Sequence, residues 1–463
     1  MAQVELTDAA IKRLGEGFEG VLIAPGDAGY DEQRRVWNGT IDRRPALVAR
    51  CAGTPDVIAA LKFAREHSLT IAIRGGGHSF AGYGTCDGGL VVDLSLMRHI
   101  EVDVKARTAT AQAGVLWGEL NEATQVHGLA VTGGLISHTG IAGLTLGGGI
   151  GWLMRKYGLS CDNLLDAEVV TADGDVLRAS DEQNADLFWA LRGGGGNFGV
   201  VTRFTYQLHE IGPAVLFSFL SYEPGRGREI LGAFRAFSAQ APDEQCPLLI
   251  YLNLPPAPFV PPEKVGRPGW TIIVVTTGDL ESGQAALKPL MDLGPQVKFT
   301  APMPYSVVNT LSDSGVPHGS LVYLKGHYAA DLTDELIDVI VERAQRKTAP
   351  MTEVHVHALL GAIARVSEDD TAYSHRSSGY AINLISQWEN PDHGPGEIAW
   401  AREGWEAMKP YCAGGYVNFM DAGDSVRGAY GAAKFRRLVE IKGRYDPSNV
   451  FRLNQNIEPQ AVG

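Results

Sequence analysis

Three titratable side chains recur at every second residue in "MTEVHVHALLGAIARV": Glu353, His355 and His357. Side chains alternate across a β-strand, so a strand over 352–358 sets all three on one face. A carboxylate beside imidazoles suits general acid–base chemistry, because neighbouring charges tune a base toward the working pH. A His-x-His pair with a carboxylate is also a metal-ligand pattern. The third reading is a charged strand face that simply meets solvent.

A second set of residues could hold a ligand. "IAIRGGGHSFAG", residues 71–82, places an arginine, three glycines and a histidine directly after strand-forming residues. "TGIAGLTLGGGIGWL" (139–153) and "WALRGGGGNFGVVTRF" (189–204) are two more glycine clusters. Successive glycines expose backbone N–H groups in concave nests that bind phosphate oxygens. Three nests beside strands point to a large ligand with a pyrophosphate at its middle. Gly194, Gly196 and Gly199 formally make GxGxxG, but a dinucleotide fingerprint needs strand, glycines, then helix. Here "NADLFWALR" reads as helix and "FGVVTRFTYQL" as strand, so the order is reversed. A GxxxxGK[ST] loop is absent, which removes ordinary ATP chemistry.

The elements that must position these residues follow from periodicity. "PDVIAALKFAREHS" and "VLWGELNEATQVHG" have helical spacing, the second closed by Gly128. "TIAIRG" and "LVVDLS" read as short buried strands. Up to about residue 205 the chain is glycine-dense and α/β in texture. From 206 to about 412, "LFSFLSYE", "LLIYLNL", "WTIIVVTTG", "EVHVHALLG" and "YAINLISQW" read as strands, with helices such as "LTDELIDVIVERAQR" between them. Tyr251 and Trp152 are candidates for lining a pocket or for plain core packing.

At 463 residues the chain is too long for one hydrophobic core. A net charge of −13 repels phosphate backbones, so the expected partner is a small molecule and not nucleic acid. Five scattered cysteines without a CxxC pair favour a reducing compartment over a disulfide framework. The amino-terminal amphipathic stretch lacks the basic start and apolar core of a signal peptide. No apolar run approaches membrane-spanning length, and a cytoplasmic location is expected.

The glycine-rich stretches, with "RRPALVARCAGTPDVIAALKFAREHSLTIAIRGGGHSFAG" the longest, resemble the FAD-binding module of vanillyl-alcohol-oxidase-type flavoproteins. The ending, "GGYVNFMD" with "YDPSNVFRLNQNI", is similar to the carboxy-terminal segment of the berberine-bridge-enzyme branch. The resemblance implies an α+β protein: a two-part FAD-binding domain of the PCMH type plus a substrate domain with an antiparallel sheet backed by helices. The expected boundaries are 1–205, 206–412 for the substrate domain, and 413–463 returning to the FAD domain.

The resemblance also assigns roles. Arg74, Gly75, Gly76, Gly77, His78 and Ser79, with Gly82, would wrap the FAD pyrophosphate, and His78 would bond covalently to the flavin 8α carbon. Many members carry a second link through a cysteine. That position here is Ile136, followed by Ser137, His138 and Thr139, so a single histidyl link is expected. Thr139 would face the reactive side of the flavin and influence oxygen access. His138 is either an active-site polar group or a loop hydrogen-bonder. Gly140, Gly143, Gly147, Gly148 and Gly149 of the second cluster, and Gly196, Asn197, Gly199 and Val200 of the third, would contact FAD. So would Tyr416, Asn418 and Asn454, with Tyr416 also a catalytic candidate. Phe419 stands where many relatives have a tyrosine, which excludes a tyrosine base there. His355 becomes the first choice of base, tuned by Glu353 and His357.

The implied activity is oxidation of an alcohol or amine carbon of a small natural product, alkaloid or sugar. Hydride passes to FAD, and O2 reoxidises it to give H2O2. An FAD-dependent dehydrogenase, an oxygenase-like tailoring enzyme of polyketide biosynthesis, and a metal-dependent lyase or hydrolase built on Glu353, His355 and His357 are the alternatives.

Overall fold

Short aliphatic strands separated by turns build two small sheets in the first 210 residues. The computed structural model describes residues 6–460; the first five residues of the amino-terminal amphipathic stretch lie outside these. One sheet runs in the order Val21–Ile23, Leu47–Arg50, Leu90–Asp93, Ile71–Arg74, the last three strands parallel. Helix Thr54–Glu66 makes the crossover between Leu47–Arg50 and Ile71–Arg74, as parallel strands require. Strand Ile71–Arg74 is thus an edge, and the glycine loop after it is free to turn outward. The second sheet has five strands in antiparallel order, with Val200–Gln207 at its centre. Helix Ala185–Leu191 precedes that strand. The order helix, glycines, strand matches the sequence reading and excludes a dinucleotide fingerprint.

Residues 215–388 form one seven-stranded antiparallel sheet. Its order is Val297–Met303, Val215–Tyr222, Pro268–Thr276, Gln245–Asn253, Glu353–Ala358, Tyr380–Trp388, Leu321–Ala329. Helices Gly227–Gln240, Asp334–Gln345 and Gly394–Met408 cover one face, burying Leu249, Tyr251, Trp270, Val354 and Ile382. Helix Asp334–Gln345 is capped by Thr333, whose hydroxyl accepts the Leu336 N–H, and buries Leu336, Ile337, Ile340 and Ala344. The opposite face carries Phe217, Phe219, Leu248, Ile250 and Ile273 and looks toward the glycine clusters.

After the sheet the chain returns. Residues 412–425 run back to the first part, and helix Val426–Tyr445 packs on Ala185–Leu191. Lys442 and Asp446, both fully buried, pair at 2.6 Å; the ammonium also donates to the carbonyls of Asn197 and Phe451. One buried cation therefore ties the third glycine cluster to the carboxy-terminal tail. Among the described residues no helix is long and apolar enough to cross a membrane.

Candidate active site

The glycine clusters converge because their backbones approach more closely than side chains would allow. A Cβ on Gly76 would lie 2.3 Å from the Gly140 nitrogen, and one on Gly140 would lie 2.4 Å from the Gly76 nitrogen. Gly77 adopts φ +72°, the left-handed region that favours glycine. The N–H groups of Gly76, Gly77, His78 and Ser79 have no protein acceptor among the described residues, and neither do those of Gly196 and Asn197. Backbone N–H groups left free at a cavity wall fit phosphate oxygens. Arg74 lines the same wall, but its guanidinium is committed to Asp93 at 2.8 Å and to the Arg35 carbonyl at 3.1 Å.

His78 lies at the lip of this cradle, stacked on Trp37 with ring centroids 4.9 Å apart. Its Nε2 is 2.8 Å from His138 Nδ1, and its Nδ1 is 3.5 Å from the Thr139 hydroxyl. His318, from the segment joining two strands of the large sheet, completes a cluster whose ring nitrogens all lie within 4.8 Å of one another. Burial, helped by His138 and His318, holds His78 well below its ordinary range, so its ring is neutral at pH 7. Burial lowers His138 as well.

On the facing sheet, strand Glu353–Ala358 turns Val354 and Val356 to the helices and Glu353, His355 and His357 into the cavity. His355 Nε2 is 2.6 Å from the Glu353 carboxylate. Burial, with His355 as a lesser cause, pushes His357 down to about 3. Asn383 stands directly across from His355 on the next strand, and Gln387 lies on the same face. Neither was anticipated from sequence.

The returning segment closes the cavity floor. The Tyr416 hydroxyl accepts from the Gly149 N–H at 2.7 Å and from the Asn418 amide at 2.9 Å, and burial raises its proton affinity. Phe419 meets Tyr416 edge-on, 4.8 Å between centroids. Asn454 donates to the Gly196 carbonyl at 3.2 Å, while its own carbonyl oxygen is buried without a partner.

These walls enclose a cavity of about 1350 Å³ that runs from the cradle to the sheet. That exceeds the roughly 300–1,000 Å³ of a single small-molecule pocket, leaving room for a dinucleotide cofactor and a substrate together. Most of the residues expected to hold the cofactor line it, among them Gly75, Gly143, Gly199, Val200 and Thr139. Several expectations need correction. Gly147, Gly148 and Gly149 do not line the cavity; added Cβ atoms would strike Asn418, Tyr373 and Ser160 at 2.1, 2.7 and 2.2 Å. They are glycines so that the returning segment can pack against them. Gly82 turns the chain behind the loop, against Ile41. His138 faces His78 and is not part of the cavity wall. Tyr251 packs on Trp270 on the helix side of the sheet, whereas Trp152 does line the cavity. Glu353, His355 and His357 do not converge as a metal site; among the described residues only His78, His138 and His318 do. None of the five cysteines lines the cavity, where Ile136 does.

Residues 45–180 match the model of an FAD binding domain, and residues 415–458 match that of "Berberine and berberine like". An FAD-linked oxidoreductase of Dictyostelium discoideum is 32% identical over 451 residues, 96% of each chain. (R)-6-hydroxynicotine oxidase of Paenarthrobacter nicotinovorans is 30% identical, covering 96% of this chain and 97% of its own. The crystal structure of 6-hydroxy-D-nicotine oxidase from Arthrobacter nicotinovorans superposes with a TM-score of 0.83 at 28% identity, covering 96% of this chain and 98% of that one. BBE-like 1 of Physcomitrella patens shares the fold, with a TM-score of 0.86 at 24% identity and coverage of 98% and 99%.

Proposed function

Since the chain belongs to the FAD-linked oxidoreductases of the berberine-bridge-enzyme-like family, we propose that it is an oxidase of a small, largely apolar organic molecule, with FAD held covalently through His78 alone. The observation that carries this reading is that the free N–H groups of the glycine loops and the His355–Glu353 pair open onto one cavity. FAD bound there supplies the hydride acceptor and passes the electrons on to O2, giving H2O2.

This chain's residues do the rest. Gly76 to Ser79, Gly196 and Asn197 bind the phosphates through their N–H groups. With the His78 Nε2–H donated to His138, the Nδ1 lone pair is the free one, on a ring that burial keeps neutral. With Nε2–H donated to Glu353, His355 keeps its lone pair on Nδ1, and the carboxylate stabilises the imidazolium formed when it takes the substrate proton. Phe217, Phe219, Ile250, Ile273 and Phe259 line the substrate end. Such a wall suits an alkaloid- or polyketide-like skeleton better than a sugar. The unpaired cysteines fit a cytoplasmic setting.

The oxidase reading is tested without a substrate. Photoreduced holoenzyme is mixed with aerated buffer; reoxidation within seconds, with one H2O2 per flavin, is expected. Flavin that stays reduced until an artificial carrier is added contradicts it and marks a dehydrogenase.

A further inference from the structure

Asn383 is 1% exposed, yet its amide nitrogen has no hydrogen-bond partner among the described residues. A buried polar group left unpaired is destabilising, so such groups are rare and call for a cause. The surroundings single this one out. Asn383 pairs with His355 on one side and Gly326 on the other, and both Asn383 and His355 line the cavity. A Cβ on Gly326 would lie 2.5 Å from the Asn383 carbonyl oxygen, so the glycine leaves the amide its place. The strand thus sets an unused N–H donor next to the His355–Glu353 pair.

We propose that Asn383 holds the oxygen of the substrate, and that the substrate is therefore an apolar alcohol and not an amine. The inference rests on the oxidase reading and narrows it. When an alcohol is oxidised, its O–H and C–H bonds break and a C=O π bond forms; the proton goes to His355 and the hydride to oxidised FAD. The oxygen keeps lone pairs throughout, so it accepts from Asn383 before, during and after the transfer. An amine nitrogen has one lone pair, which becomes the π bond of the iminium. A fixed N–H donor then has nothing to bind.

The test is a binding titration of the holoenzyme, followed by the flavin visible spectrum, with acetophenone standing for the ketone product and α-methylbenzylamine as the matched amine. Asn383→Asp keeps the shape and removes the donor; Asn383→Ser is the second variant, and thermal melting checks that both are folded. Acetophenone affinity is expected to fall three- to tenfold in both variants, with amine binding unchanged or tighter in Asn383→Asp. Unchanged acetophenone affinity, or equal loss for both ligands, overturns the role of Asn383. Failure of the wild type to bind acetophenone overturns the assignment from the other side, by removing the apolar pocket on which it rests.

Discussion

His78 and His138 meet ring to ring, Nε2 of the first 2.8 Å from Nδ1 of the second, where two glycine-rich loops 60 residues apart are pressed together. The contact gives His138 a task that its distance from the cavity otherwise denies it: it fixes which nitrogen of His78 is free. His138→Phe should keep FAD bound while slowing covalent attachment by on the order of a hundredfold, the low end of what a positioned base contributes. Flavin fluorescence of the denatured protein on a gel, against total flavin in the native sample, measures the bound but unattached fraction.

His355→Gln should slow flavin reduction by roughly 10²- to 10⁴-fold, with acetophenone affinity nearly unchanged. Anaerobic stopped-flow with an oxidisable alcohol reads the first quantity and titration the second. Loss of binding in place of rate would assign His355 to recognition.

The glycine loops and the polar strand were legible in the sequence because each carries a local signature. Glycine runs after a strand mark a backbone that something approaches, and alternation marks a strand face. Asn383 was hidden in "YAINLISQW", a strand buried on both faces, by helices and by the cavity wall, so alternation vanished. The edge strands Val297–Met303 and Leu321–Ala329 were missed for related reasons. The first contains Pro302, tolerated because it lies at the sheet edge; the second is broken in pattern by Lys325, Gly326 and His327. The roles of Gly147, Gly148 and Gly149 depended on a segment more than 250 residues away, which no local pattern announces.

His357 makes acid stability a readout of the site. Unfolded, it titrates near 6.5; folded, near 3. The unfolded chain therefore binds the proton first, and stability falls as pH drops below about 6.5, the contribution being fully lost near 3. The slope from this residue is at most about 1.4 kcal/mol per pH unit. His357→Gln should flatten that part of a denaturation series taken across pH.

Lys442→Met should cost about 3–5 kcal/mol, because it leaves the buried Asp446 carboxylate uncompensated. It also frees the carbonyls of Asn197 and Phe451, so FAD retention should weaken together with the melting temperature. Asp446→Asn in the same background should recover part of the loss.

The most direct test of the account is where the flavin stays. Purified protein is precipitated with acid, and the pellet is digested and mapped by mass. The account predicts a yellow pellet with one flavin adduct, on the peptide containing His78, and a colourless pellet for His78→Ala. Free FAD in the supernatant of the wild type, or a flavin that remains attached in His78→Ala, would contradict it.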